Sequence, residues 1–469
     1  SVQNIAFIGT GGVTDNAGLL ATNVTLEGSS LALDDTIDAA GTLDLLSAGG
    51  ASQTAPFAAA VLAGSLGTNT TLANTLNSVS ELGNITATGA FDLFDNAALN
   101  IAGAVSVGTS LTLGGNAVSE ASTGAVVAGL FTGSHSATVD LSNGSNNIAD
   151  LSNITITGGD FRLDDAQALG VLGSVSADNI TLAGANGLTL GGATLAGLLS
   201  AGNAGAIDLA FDNFATGTAG GTISAPAGTI AVAPFAANGV LDVNVALAGL
   251  LGTSANVLVF GTASGHEAGS LTIASALASF ASLSFVSSGG ITDQASIGAQ
   301  TIAFNGTSLS LGPIDAISLL DLVAGNGGVS QTSAVTAGTL IGSAGTGGVA
   351  LTDSLNAIGT LAGFTVTNGA FDLTDSGSLA LAGPLAASNA SLSAASLGIT
   401  GSLIIGNDLA FGGGGVSEAG AGVINTGTLS GGASATVDLS GGTNSITNLG
   451  NFVVSSGNLL IADQPLLHI

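Results

Sequence analysis

A single side chain in this sequence carries a permanent positive charge, Arg162, against 30 Asp and Glu, for a formal net charge of −29. A chain so short of cations cannot displace the counterions of a polyanion, which excludes nucleic acid as a partner and disfavours anionic membrane surfaces. Cys, Met, Trp and Tyr are absent altogether. Without cysteine there is no disulfide framework, and the redox compartment stays open. The absence of Cys and Met also removes the side chains most easily oxidised, which suits long extracellular life. Without Trp and Tyr there is no aromatic girdle for an outer-membrane barrel. Long apolar runs are missing too: the stretch 245–260 is broken by Gly, Thr, Ser and Asn, well short of the roughly 18 apolar residues of a membrane helix.

What is present is apolar and small. Hydrophobic residues make up 46% of the chain, Gly alone counts 75, and the mean hydropathy is +0.64. Acidic chains usually stay disordered for want of apolar surface, and this one has enough to build a core.

The chain is a duplication. Residues 5–16, IAFIGTGGVTDN, match 283–294, LSFVSSGGITDQ, at an offset of 278, and ASQT at 51–54 matches VSQT at 329–332. GAFDLFD at 89–95 then meets GAFDLTD at 369–375 at an offset of 280. VSEA and ATVDLS at 118 and 137 recur at 416 and 435, an offset of 298. Eighteen residues therefore enter the second copy without disturbing the chain on their C-terminal side. A closed core does not accept such an insertion, whereas a solenoid takes it as one added rung. The blocks read as 1–187 and 283–469, joined by connecting coils over 188–282 in one continuous solenoid. Inside each block a shorter phrase recurs near 51, 118, 329 and 416: VSQT or VSEA, then a segment like NxIxxLxN, then TxTxGxFxL.

Locally, apolar and small polar residues alternate over four to six positions, as in SLTLGG at 110–115, NITITGG at 153–159 and NITLAG at 179–184, and helical spacing does not persist. Asn-Gly at 143–144, 186–187, 238–239, 305–306 and 368–369 predicts positive-φ turns. These features, with the added rung, predict an all-β fold: a parallel β-helix, or β-solenoid, forming a single elongated rod. Roughly 20 coils at a strand spacing of ~4.8 Å would extend it to the order of 100 Å. Neither end carries an obvious cap, so the tips are expected to meet further coils of the same parent chain or identical subunits.

The phrases at 329–385, with those at 51–104, 118–184 and 416–463, resemble the repeat arrays of filamentous haemagglutinin-like exoproteins of two-partner secretion. The resemblance implies a right-handed coil, export from a Gram-negative bacterium to the cell surface or medium, and a non-enzymatic role as the shaft of an adhesin or biofilm fibre. The family's N-terminal secretion domain is not among these residues, and no functional residue carries over. A self-assembling filament or surface-layer subunit joined end to end is the alternative, and a polysaccharide-degrading β-helix enzyme a remote one.

Candidate sites are few. The acidic pairs Asp34-Asp35 and Asp164-Asp165 are candidate Ca²⁺ sites. So is the repeated FDLxD, with Asp92 and Asp95 in one copy and Asp372 and Asp375 in the other, since Ca²⁺ takes carboxylate and turn carbonyl oxygens. No other cofactor is expected. His266-Glu267 lacks the second histidine of a zinc motif and reads as an exposed turn. His135 and His468 stand alone. Thr-x-Thr at 86–88, 155–157 and 365–367 reads as outward-facing strand, and Asn23-Val-Thr and Asn153-Ile-Thr as chance sequons.

Overall fold

The computed structural model describes residues 2–202, 204–251, 255–464 and 466–469. Strands make up 71% of the chain, and the ladder is that of a β-solenoid. Every described pairing is parallel except the two-residue hairpin of Thr262–Ala263 with His266–Glu267. The contacts divide the chain into two units, one of residues up to Ala236 with Gly249–Ala255, the other of Ala237–Ala248 with Asn256 onward. The division falls inside the stretch read as connecting coils.

Each unit is a stack of coils held by one repeated step. In the first unit Leu43 is matched by Leu62 and Leu62 by Leu82, 19 and 20 residues on. In the second, Leu320 is matched by Leu340 and Leu340 by Leu361. All six leucines are essentially inaccessible to solvent. Because side chains alternate across a strand, the intervening small polar residues face out, and equivalent apolar residues pile into columns. Phe260, Phe285 and Phe304 form one such column in the second unit, with ring centroids 5.3 and 4.9 Å apart and planes within 18° of parallel.

The added rung is visible. In the first unit Leu99 pairs directly with Val118. In the second unit Leu379, the counterpart of Leu99, pairs with Leu397, and Leu397 pairs with Val416, the counterpart of Val118. The eighteen residues thus form one interposed coil that restores the register. Ser119 and Ser417 occupy like places, each one residue before the glutamate that ends its strand; Ser417 pairs with Asp438, and Val118, just before Ser119, pairs with Val139, just before Asp140. The smaller two-residue shift is absorbed at one corner, where Leu66 to Thr70 and Ala87 to Phe91 become Ala344 to Val349 and Val366 to Phe371, one residue longer each.

Two local expectations are corrected. Of the five Asn-Gly steps, only Asn238 and Asn368 adopt positive φ. Asn143, Asn186 and Asn305 lie within Val139–Ile156, Ile180–Leu190 and Ile297–Leu311, each close to a register shift in the ladder. A solenoid bends its chain at such irregularities while the ladder continues, so the tight reversal that demands a left-handed residue is not needed. One helix is also present, Val245–Leu251, where residues 252–254 of the same apolar stretch lie outside the described residues. Asn244 caps it, its Oδ1 accepting from the backbone N–H groups of Ala246 and Leu247 at 3.0 and 3.2 Å. Seven residues are too few to leave a helical period in the sequence. Among the described residues no helix is long and apolar enough to cross a membrane.

Glycine matters where coils touch. Gly115 has φ +122°, and a Cβ there would lie 1.8 Å from the carbonyl oxygen of Asp95 on the preceding coil. Gly144 has nothing within 4 Å of its would-be Cβ. Gly115→Ala should therefore cost at least about 2 kcal/mol while Gly144→Ala stays within about 0.5 kcal/mol. Denaturant midpoints of the two variants check this directly.

Candidate functional site

The most ordered polar chemistry in the molecule lies at four corners, two in each unit, built from the short repeated phrase. Each corner stacks three side chains from successive coils: Gln53, Asn77 and Asp95; Glu120, Asn146 and Asp165; Gln331, Asn356 and Asp375; Glu418, Asn444 and Asp463. The asparagines are the hub, and none is more than 1% exposed.

Where the coil bends into a new strand, backbone groups point inward with no strand to meet, and each must find a partner. Asn356 Oδ1 accepts from the Val335 N–H at 2.8 Å, and its Nδ2 donates to Leu351 O on its own coil at 3.1 Å and to Thr374 O on the next at 3.0 Å. Asn77, Asn146 and Asn444 repeat the pattern with Phe57, Val126 and Ile424 as donors and Leu72, Leu141 and Leu439 as acceptors. The third tier does the same one coil further on. Asp95 Oδ1 accepts from Val79 N–H at 2.9 Å and Ala97 N–H at 3.2 Å, and Asp165 and Asp463 take Ile148 and Ile446 N–H. Asp375 uses both oxygens, on Ile358 and Gly377.

The structure places the proposed Ca²⁺ candidates as follows. Asp95 and Asp375 point into the corner, while Asp92 and Asp372, three residues earlier, point outward, so neither pair converges on a shared ion. Asp164 and Asp165 divide in the same way, Asp165 inward and Asp164 outward. Asp34 accepts from the Thr54 hydroxyl on the next coil at 2.9 Å, and Asp35 accepts from the adjacent Thr36 N–H at 2.7 Å. Among the described residues no group of three or more His, Asp or Glu could hold a metal.

Burial drives the electrostatics. It pushes the Asp165 carboxyl up to about 6 and raises Asp95 and Glu120 in the same direction, the backbone hydrogen bonds opposing it only in part. Asp293 is likewise pushed up to about 6, and Asp15 is raised. His135 is 2% exposed; its Nδ1 lies 2.9 Å from Asn116 O, and burial lowers its pKa, so it is a neutral core side chain. His266 sits in the small hairpin, whose turn residues Ser264 and Gly265 both have positive φ, the type I′ geometry of a tight reversal. His468 is exposed and pairs with Asn448 through the backbone. The threonines form no ladder: Thr86 stands between Ser65 and Ser106, and Thr365 between Ser343 and Ala386.

The outward face is where the two copies part. Asn100, Ser119, Asp140 and Arg162 line up over successive coils of the first unit, with Arg162 2.9 Å from Asp160 and 3.8 Å from Asp140. The matching face of the second unit, across the added rung, is an open trough of about 490 Å³ lined outward by Ser378, Ser396, Ser417 and Asp438, the first two hydroxyls 2.7 Å apart. There the place of Arg162 is taken by Leu460, 45% exposed.

Sequence reasoning wrote the hub asparagines as the first letter of NxIxxLxN but gave them no role. Asn77, Asn146, Asn356 and Asn444 each precede a buried Ile or Val by two positions and an aspartate by 18 or 19, and that recurrence was the available signal. Compared with protein-family models, with curated proteins and with solved structures, the chain matches none.

Proposed function

We propose that the chain is a non-enzymatic extracellular structural protein, a β-solenoid segment serving as the shaft of a bacterial surface adhesin or biofilm-associated fibre. The observation that carries this reading is the interposed coil: a body that gains a rung and resumes its register is one whose length is the selected variable. The −29 charge fits a role in which coils repel one another laterally and remain dispersed in the medium. Inward positions largely match between copies while some outward ones differ, as Arg162 does from Leu460, which suits a common scaffold presenting changeable faces. The test is attachment of cells to host-cell and abiotic surfaces with and without residues 1–469 in the displayed protein. Attachment is expected to fall on deletion, and attachment that survives it unchanged removes the proposal.

Self-assembly is a second reading, supported by one comparison. Phe7 is 46% exposed, whereas its counterpart Phe285 is fully buried between Phe260 and Phe304. A coil laid against Phe7 as Phe260 is laid against Phe285 would cover it, and either a further coil of the same parent chain or a second copy would supply one. Sedimentation at increasing concentration tests this; a monomer throughout ends it.

A further inference from the structure

The four corners take up successive coils without overlap. In the first unit the coils of Gln53, Asn77 and Asp95 are followed by those of Glu120, Asn146 and Asp165, and in the second the coils of Gln331, Asn356 and Asp375 precede those of Glu418, Asn444 and Asp463. Within a corner the side chains tie each coil to the next. Gln331 Nε2 donates to Asn356 Oδ1 at 2.8 Å, and its Oε1 accepts from Asn356 Nδ2 at 3.0 Å. Asn356 reaches on to Thr374 O, and Asp375 reaches back to the Ile358 N–H. Glu418 Oε2 accepts from Asn444 Nδ2 at 2.8 Å, Asn444 reaches on to Ala462 O, and Asp463 reaches back to the Ile446 N–H. Each corner is therefore a clamp across three coils, and parting any two of them strands buried donors and acceptors.

Between one clamp and the next the bonding changes. Backbone groups carry the corner across that boundary, Asn116 N–H to Asp95 O at 3.2 Å in the first unit and Ala395 N–H to Gly377 O at 2.9 Å where the interposed coil of the second unit is joined. That coil lies at the boundary, after the coil of Asp375 and before the coil of Glu418. Its own corner position is Ala394, next to the Ser393 that pairs with Thr374, and it is buried and apolar. The coil thus brings no tier of its own and separates none. It also leaves the following clamp on the same edge. Leu82 and Leu361 each stand five residues after a hub asparagine; Glu120 continues the column of Leu82 and Ile101, and Glu418 continues that of Leu361, Leu381 and Ile399. The segment 382–399 begins after Leu381 and ends on Ile399, which pairs with Leu381, so its two ends occupy equivalent places one coil apart.

We propose that the boundary between clamps is the place at which this solenoid takes up or gives up a whole coil, and that the clamps forbid the same exchange within themselves. Residues 382–399 are the exchangeable piece. Their removal joins Leu381 to Thr400-Gly401 as Ile101 is joined to Ala102-Gly103, and Glu418, brought 18 residues closer, then follows Leu381 by 19 as Glu120 follows Ile101. The backbone bonds at the three places are alike: Thr400 N–H donates to Leu381 O at 2.9 Å, Ala382 N–H to Leu361 O at 3.0 Å, and Ala102 N–H to Leu82 O at 2.9 Å. Because solenoid coils contact only their neighbours, a coil whose two faces match those neighbours leaves the rest of the stack unchanged. A shaft built this way varies in length by single coils at clamp boundaries, and the device depends on the corner bonds and not on where the rod is displayed.

Three variants of the full chain test this against wild type: deletion of 382–399, insertion of a second copy of 382–399 after Ile101 at the clamp boundary of the first unit, and insertion of the same copy after Leu361, which parts Asn356 from Asp375. Both insertions run into Ala-Gly, at 102–103 and at 362–363, so their junctions are alike. The deletion and the boundary insertion are expected to fold and to keep the denaturant midpoint and proteolysis pattern of wild type. The insertion after Leu361 sets the Ile358 N–H against Ala394 in place of Asp375, and is expected either not to fold or to be cut at that corner about tenfold faster or more. Equal behaviour of the two insertions, both tolerated or both damaging, overturns the proposal, as does a deletion variant that fails to fold. Cell attachment is a separate readout, so failure of the shaft reading leaves these results standing.

Discussion

Acidification from pH 7.5 to 5 is expected to raise the denaturant midpoint of this protein. The cause is the set of buried carboxyls at the corners and turns. Asp165 and Asp293 are held at about 6 against 3.8 for an ordinary aspartate, chiefly by burial, and neither is more than 3% exposed. A folded-state value raised above the unfolded one means that the folded chain binds the proton more tightly. The stabilisation is then complete below about 3.8 and is lost as pH rises through about 6. A shift of this size corresponds to about 3 kcal/mol for each group as an upper figure. Asp15, Asp95 and Glu120 shift in the same direction, and Asp15, Asp95, Asp165 and Glu120 each have a buried oxygen without a partner that can take the proton. His135 opposes them, because its lowered folded pKa makes stability fall as the unfolded chain protonates below about 6.5. One histidine against five carboxyls leaves the balance on the acid side. Easing of the −29 self-repulsion adds to it. D165N/D293N should flatten the profile between pH 4 and 6, and a wild-type midpoint higher at pH 8 than at pH 5 would refute the account.

Asn356→Ala is expected to be the most damaging single polar substitution, at about 3–5 kcal/mol. The side chain closes five hydrogen bonds on three successive coils, and alanine leaves Val335 N–H, Leu351 O and Gln331 inside the corner with nothing to bond. Truncation does not admit water easily, because the asparagine has no exposed surface. Asn100→Ala, on the outward face, should stay within about 0.5 kcal/mol. Because solenoid coils contact only their neighbours, the damage should also be local. Limited proteolysis is expected to cut Asn356→Ala near the corner well before the rest of the chain; uniform resistance equal to wild type would show that the corner is not a structural joint.

The legible part of the fold was the part written as repetition. Alternation in SLTLGG and NITLAG announced strands, and the jump in offset from 280 to 298 announced a coil that the pairing of Leu379, Leu397 and Val416 then displays. Turn chemistry was less legible. Asn-Gly specifies a left-handed pair only where the chain must reverse, and at Asn143, Asn186 and Asn305 the ladder runs on through the corner. The FDLxD aspartates looked alike as carboxylates near a turn, and side-chain alternation sent Asp95 and Asp375 to the interior and Asp92 and Asp372 to the outside.

By itself, then, the order of residues determined that this chain stacks coils, where an extra coil enters and which aliphatic positions form the interior, because period-two alternation and tandem copying are local and countable properties. Only the tertiary structure decided that Gln53, Asn77 and Asp95, 24 and 18 residues apart, form one hydrogen-bonded corner, and that Glu120 and Glu418 lack the partner their glutamine sisters have. The reason is physical. Which backbone groups are left unpaired depends on where each coil bends relative to the coils on either side, and that is a relation between rungs that no single stretch of sequence contains.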